Sequence, residues 1–161
     1  MSLMKILYFM IGIPGSGKTE FAKHLNGTRV SFDDIREDLY GDANEKGVGE
    51  EIQREFRKRI YRLIREGKNV IIDYQGLNPK SRKSFIKTYS PNFDKTVAVH
   101  INTPLEMCLE RNRSRRRFVP EEVILRSHGQ LVPPKFEEGF DEILTIDPDD
   151  FQIISEKKNA E

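Results

Sequence analysis

The sequence predicts an α/β fold, a five-stranded parallel sheet with helices on both faces. Three observations predict it. Short apolar runs alternate with helical patterns along the chain. A glycine-rich turn, Gly12–Thr19, joins the first apolar run to the first helical pattern. No internal repeat or low-complexity linker interrupts the alternation, so residues 4–155 read as one domain.

Lys5–Ile11 is an apolar run of buried-strand length, and Phe21, Ala22 and Leu25 place a helix over Thr19–Leu25. Thr28–Phe32 alternates as a second strand and runs into Asp33–Glu37, which opens a helix with acid in its first turn. Either Asp33 or Asp34 can serve as its cap. Three glycines between Gly41 and Gly49 mark a loop. Val48, Ile52, Phe56, Ile60 and Ile64 recur every four residues and predict a long helix to Glu66, stopped by Gly67.

Val70–Ile72 is a compact third strand ending at Asp73, and Asn78-Pro79 starts a helix with Asn as cap. Thr96–Ile101 is the fourth strand. Thr103-Pro104-Leu105-Glu106 matches a capping box, so a helix begins there. Pro120 opens another helix reaching about Leu131, broken by Pro133-Pro134. Ile143–Ile146 is the fifth strand and Phe151–Ile154 a short extended piece. Residues 156–161 read as a frayed tail.

The bulk properties exclude several classes. At 161 residues the chain can bury a proper core. No apolar run reaches membrane-span length, and no secretory signal is visible. Residues 1–3 read as an expression scar ahead of a natural start at Met4. Cys108 is the sole cysteine, so intramolecular disulfides and cysteine-rich metal sites are excluded, and it reads as a small buried hydrophobe. His24, His100 and His128 lack metal-ligand spacing. These features fit a cytoplasmic protein.

Net charge is +1, from 27 Lys+Arg against 26 Asp+Glu, so no global field gathers polyanions. Charge is uneven, however. Residues 111–117 carry five arginines and residues 137–150 are acidic.

In parallel sheets of this kind ligands bind beyond the strands' carboxyl ends. Asp33, Asp73 and the loop after Ile101 fall on that rim beside the glycine-rich turn. That turn, Gly12-Ile13-Pro14-Gly15-Ser16-Gly17-Lys18-Thr19, reads G-x-x-x-x-G-K-[ST], the phosphate-binding loop. Gly12, Gly15 and Gly17 let the backbone curl, with Pro14 and Ser16 between them, so that N–H groups point at a polyphosphate. Lys18 can reach the β/γ-phosphates of a nucleoside triphosphate, and the Thr19 hydroxyl can sit on Mg²⁺. The fold class is therefore a P-loop NTPase with ATP and Mg²⁺ as expected ligands.

Asp73 ends an apolar strand as a Walker B aspartate does and could hold a water on Mg²⁺. The alternative is a solvated aspartate or helix cap. Tyr74 follows it, so the water-activating glutamate of a motor-type ATPase is absent there. Asp33 lies where an acceptor hydroxyl could approach the γ-phosphate, as a proton acceptor or simply as a helix cap. Arg36, one turn on, could hold an anionic group of the acceptor or pair with a neighbouring carboxylate. Arg111, Arg113, Arg115, Arg116 and Arg117 form either a lid closing on the triphosphate or a solvated basic stripe. Spacing does not say which arginine matters. No Asn-Lys-x-Asp guanine-reading motif occurs.

These motifs resemble the P-loop kinases related to the kinase domain of bacteriophage polynucleotide 5′-hydroxyl kinase, including many bacterial ATP-binding proteins. The resemblance runs from Ile6 to Ile143. It is carried by the phosphate loop, Asp33-Asp34-Ile35-Arg36, Val70-Ile71-Ile72-Asp73 with Leu77-Asn78-Pro79, and Arg111-Asn112-x-x-Arg115 ahead of Val119-Pro120. It implies that Lys18 and Thr19 bind ATP phosphates and Mg²⁺, that Asp33 is the general base and that Arg36 contacts the acceptor's phosphate. It further implies that Arg115 is the lid arginine on the donor phosphates, assisted by Arg111, and that the phosphate-loop strand is central in the sheet. Relatives commonly read Asp-x-Thr-Asn after the third strand, whereas here Asp73 precedes Tyr74-Gln75-Gly76. The phage enzyme's own carboxylate aligns at Tyr74.

The leading expectation is an ATP-dependent phosphotransferase acting on the 5′-hydroxyl of a polynucleotide, DNA or RNA. Arg36 and the arginine run favour an anionic acceptor. A small-molecule kinase for a nucleoside, sugar, antibiotic or sugar nucleotide is the nearest alternative, favoured by the near-zero charge and the altered 73–76 segment. A nucleotide-gated binding module or switch is the third. Base preference and oligomeric state are not set by the sequence.

Overall fold

The computed structural model describes residues 3–42, 49–115 and 118–159. The elements are β1 (Ile6–Ile11), α1 (Lys18–Ala22), β2 (Thr28–Ser31), α2 (Phe32–Tyr40), α3 (Gly49–Arg65), β3 (Val70–Asp73) and α4 (Pro79–Tyr89). They continue with β4 (Lys95–Ile101), α5 (Leu105–Ser114), α6 (Glu121–Gln130), β5 (Glu142–Ile146) and β6 (Ile153–Lys158). The sheet order is β2-β3-β1-β4-β5-β6. β1 pairs in parallel with both β3 and β4, so the phosphate-loop strand is central, as the resemblance implies.

The period-two pleat of β1 divides the core. Leu7, Phe9 and Ile11 pack with Phe56 and Ile60 of α3 and Ile86 of α4, while Met10 joins Phe21 of α1, Ile71 and Val99 on the other face. A strand covered on both faces must be apolar throughout, which is why β1 reads as a run.

Three local expectations are corrected. α1 ends at Ala22, and the N–H groups of Lys23, His24 and Leu25 donate three residues back in tightened turns, because β2 begins at Thr28. The α2 cap is Ser31, whose Oγ accepts the Asp34 N–H at 3.3 Å, so neither Asp33 nor Asp34 caps this helix. The capping box at Thr103 does not form. α5 starts after Pro104 without a side-chain cap, and the Thr103 hydroxyl donates to the Ser16 carbonyl at 2.6 Å.

The sheet has six strands where five were expected. β6 runs antiparallel to β5, pairing Leu144 with Glu156 and Ile143 with Lys157, so residues 156–158 are ladder rather than frayed tail. This edge strand is almost wholly exposed and held by its backbone, so it carries no apolar alternation to announce it. Val48 and most of the expected 41–49 loop lie outside the described residues. Among the described residues no helix is long and apolar enough to cross a membrane.

Candidate functional site

The carboxyl ends of β1, β2 and β3 place the phosphate loop, Ser31–Asp33 and Asp73 along one rim. The loop is fixed at its base by the Gly12 N–H donating to the Gln75 carbonyl at 3.1 Å. Gly15 has φ +84°, and a Cβ there would lie 2.6 Å from the Cys108 carbonyl oxygen. Gly17 has φ +96°, also left-handed. Both positions therefore exclude a side chain, for curvature and for close approach.

Lys18 and Thr19 turn toward β3. The Thr19 hydroxyl donates to Asp73 Oδ2 at 2.9 Å, and Lys18 Nζ lies 3.8 Å from Oδ1. Arg29 Nε donates to the same Oδ2 at 2.6 Å, and its Nη1 pairs with Asp34. Register explains the reach. Arg29 lies opposite Ile71, two residues from Asp73 on the same sheet face. Burial works to raise the Asp73 pKa, but Lys18, Arg29 and the Thr19 hydroxyl together hold it below the ordinary range. Burial likewise opposes the Arg29 charge, and Asp73 and Asp34 more than offset it.

Asp73 is 4% exposed, and its Oδ1 has no hydrogen-bond partner. A buried carboxylate oxygen without a donor, beside a hydroxyl, is a hard-oxygen set suited to Mg²⁺. No cluster of three or more His, Cys, Asp or Glu exists among the described residues.

Asp33 stands at the mouth, with its side chain 58% exposed, and accepts from Arg36 Nη1 at 3.1 Å. A cavity of about 820 Å³ brings Lys18, Thr19, Asp33, Arg36, Asp73 and Arg115 to one space, with Pro14 on its wall. Arg115 follows α5 in extended backbone. The arginine run is thus divided. Arg111 sits behind the loop, outside that cavity, donating to the carbonyls of Ser16 and Pro148 at 3.1 Å each, while Arg113 pairs with Glu121. Arg116 and Arg117 lie outside the described residues.

The segment after Asp73 is engaged at each residue. Tyr74 packs edge-on against Phe9, Phe32 and Phe85, and burial pushes its phenol up to about 12. Gln75 Oε1 accepts from Ser127 Oγ of α6 at 2.7 Å. Gly76 gives its carbonyl to Arg82, a wholly buried guanidinium that also binds both oxygens of Glu138. The loop base, the helix after the arginine run and the acidic stretch are therefore tied through residues 75–76. Sequence reasoning missed Arg29 and Arg82. Arg29 was visible as a charge beside an apolar strand residue, but Arg82 gave no local signal.

The model of the AAA domain family matches residues 7–134. Transcription factor bHLH140 of Arabidopsis thaliana is 31% identical over 112 residues, 69% of this chain and 12% of that protein. A protein of Autographa californica nuclear polyhedrosis virus, provisionally named bifunctional polynucleotide kinase/RNA ligase, is 29% identical over 131 residues, 72% of this chain and 19% of its own length. A chain of the Pnkp1/Rnl/Hen1 RNA repair complex superposes with a TM-score of 0.68 at 25% identity, over 81% of this chain and 45% of that one. A sugar kinase from Janibacter sp. HTCC2649 superposes with a TM-score of 0.61 at 17% identity, covering 91% and 86%. That likeness is one of fold. The chain thus spans 12% and 19% of these two curated relatives.

Proposed function

The chain belongs to the AAA domain family as a P-loop kinase domain, and from that premise we propose that it transfers the γ-phosphate of ATP to the 5′-hydroxyl of a polynucleotide. One observation carries this reading. Asp33, freed from capping by Ser31, pairs with Arg36 on the wall of the cavity that also holds Lys18, Thr19 and Asp73.

The chemistry assigned to the residues is as follows. Lys18 and the loop N–H groups bind the β/γ-phosphates. Arg36 holds an anionic group of the acceptor and thereby orients its hydroxyl. Asp33 takes the hydroxyl proton as the acceptor oxygen bonds to the γ-phosphorus and the bond to the β-phosphate oxygen breaks, releasing ADP. Arg115 supplies positive charge to the transferred group from the lid side. Thr19 and Asp73 would hold Mg²⁺, which when bound neutralises phosphate charge. The likeness to the viral protein provisionally named polynucleotide kinase/RNA ligase and to a chain of an RNA repair complex supports the acceptor class.

A small-molecule acceptor is the second reading, favoured by the apolar wall that Phe32, Leu77, Val119 and Val123 give the cavity. Labelled ATP offered with 5′-hydroxyl DNA, RNA, nucleosides, sugars and sugar nucleotides separates the two. The polynucleotide reading expects label on oligonucleotide 5′ ends. Label confined to a small metabolite overturns it.

A further inference from the structure

The cavity at the phosphate loop does not end at its apolar wall. Asn78 and Ser81 line it, and both residues also line a second, outward-facing groove of about 490 Å³ between α3 and α4. The two spaces share these two residues and so lie side by side at the start of α4. Lys80, Ser84 and Thr88 sit at i, i+4 and i+8 along one wall, and Gln53 and Arg57 at i and i+4 along the other. The α4 wall is about 12 Å long, several times the rise of about 3.4 Å per stacked nucleotide.

The groove's chemistry is one-sided. Its described lining contains hydroxyls, amides, the rings of Phe85 and Tyr89 and the cations Arg57 and Lys80, with Arg57 hydrogen-bonded to the Tyr89 hydroxyl, and no carboxylate. Neither cation makes an ion pair with another described residue, although α3 carries Glu50, Glu51 and Glu55. Glu50 pairs with Arg54, Glu55 with Arg59, and Glu51 accepts from Tyr40, so these acids are engaged elsewhere. With a net charge of only +1, a polyanion would be held by such local cations or not at all.

We infer that the α3–α4 groove is the track for the nucleotides that follow the acceptor end of a single-stranded polynucleotide, with Arg57 and Lys80 on its phosphates. This rests on the kinase reading above and extends it, naming an extended strand rather than a mononucleotide as the preferred acceptor. On this reading the strand crosses from one space to the other over Asn78 and Ser81, which line both. The hydroxyls of Ser84 and Thr88 and the Gln53 amide supply sequence-independent contacts to sugar and phosphate.

The test compares a nucleoside 3′-phosphate with a 5′-hydroxyl oligonucleotide of about ten residues, within the site sizes usual for single strands. Initial rates and fluorescence anisotropy are measured on wild type, Arg57→Gln/Lys80→Gln and the charge-keeping Arg57→Lys/Lys80→Arg. The inference expects a lower KM for the oligonucleotide in wild type. It expects that advantage to vanish in the Gln variant with mononucleotide transfer unchanged, and to survive in the charge-keeping variant. The slope of log Kd against log salt should flatten by about 1.4 on losing the two cations, at about 0.7 per phosphate contact. Length-independent KM, or equal damage to both acceptors, overturns the track. If no acceptor is phosphorylated, the kinase reading fails, while anisotropy still decides the track. Oligonucleotide binding that depends on Arg57 and Lys80 supports it, and indifference to them ends it.

Discussion

Arg29 Nε and the Thr19 hydroxyl both donate to one oxygen of Asp73, Oδ2, at 2.6 Å and 2.9 Å. The carboxylate is thereby held in one orientation and its other oxygen, Oδ1, left without a hydrogen-bond partner. Arg29 thus positions the carboxylate that the proposed function assigns to Mg²⁺.

Arg29→Met should therefore raise the Mg²⁺ concentration needed for half-maximal transfer more than it raises KM for ATP. It should also cost about 2–4 kcal/mol of stability, below the range for a fully enclosed pair because Arg29 keeps 25% of its side chain exposed. Mg²⁺ titration of initial rates and urea unfolding check both. Because the folded pKa of Asp73 is depressed, its contribution is present above the unfolded value near 3.8 and lost as pH falls through the folded value. Asp73→Asn should accordingly flatten the acid limb below about pH 4.

Asp33 and Lys18 divide differently under mutation. Lys18→Ala should abolish transfer. Asp33→Asn keeps the shape of the mouth and removes the proton acceptor, so transfer should fall by about 10²–10⁴-fold with ATP affinity retained. Calorimetry for ATP beside a label-transfer assay reads the two effects. Substantial transfer by Asp33→Asn would remove this residue from the base role.

What the sequence revealed depended on how local each signal was. The phosphate loop, Asp73 at the end of an apolar strand and the Asn78 cap are each carried by a few adjacent residues, and all are visible without coordinates. Ser31 does not stand out as the cap, because Asp33 and Asp34, two and three residues further on, share its capping chemistry. The Arg82–Glu138 pair spans 56 positions, and no periodicity links two such residues. β6 escaped because an exposed edge strand needs no apolar face. The five arginines looked alike in sequence, and tertiary contacts distribute the three described ones, Arg111, Arg113 and Arg115, between the loop, an acidic partner and the cavity.

His100 gives a pH dependence of the opposite chemical kind. It sits in β4, 7% exposed, with Nε2 unpartnered, and burial, aided by Arg82, lowers its pKa to about 4. Between about pH 4 and 6.5 the unfolded chain binds the proton and the folded chain does not, so stability falls as pH is lowered through that window. The loss should total about 3 kcal/mol. His100→Gln should remove that slope, measured by urea unfolding at fixed ionic strength. A wild-type slope unchanged by the substitution would place the titration elsewhere.

Arg82 is 0% exposed, donates to both carboxylate oxygens of Glu138 and also to the Gly76 and Pro133 carbonyls. Arg82→Ala leaves a buried carboxylate with only the Lys135 N–H and two carbonyls without the guanidinium, and should cost about 3–5 kcal/mol. The double substitution Arg82→Met/Glu138→Leu removes both charges and fills much of the space, so it should recover a large part of that loss. The two carbonyls still lose their donor in it. Gly76 then loses an anchor while its neighbour Gln75 continues to support Gly12. The double variant should therefore fold, bind ATP and show a raised KM for the acceptor, since Tyr74, Leu77 and Asn78 line that side of the cavity. Thermal melts together with acceptor KM measure this. An unchanged acceptor KM would confine Arg82 to a purely structural role.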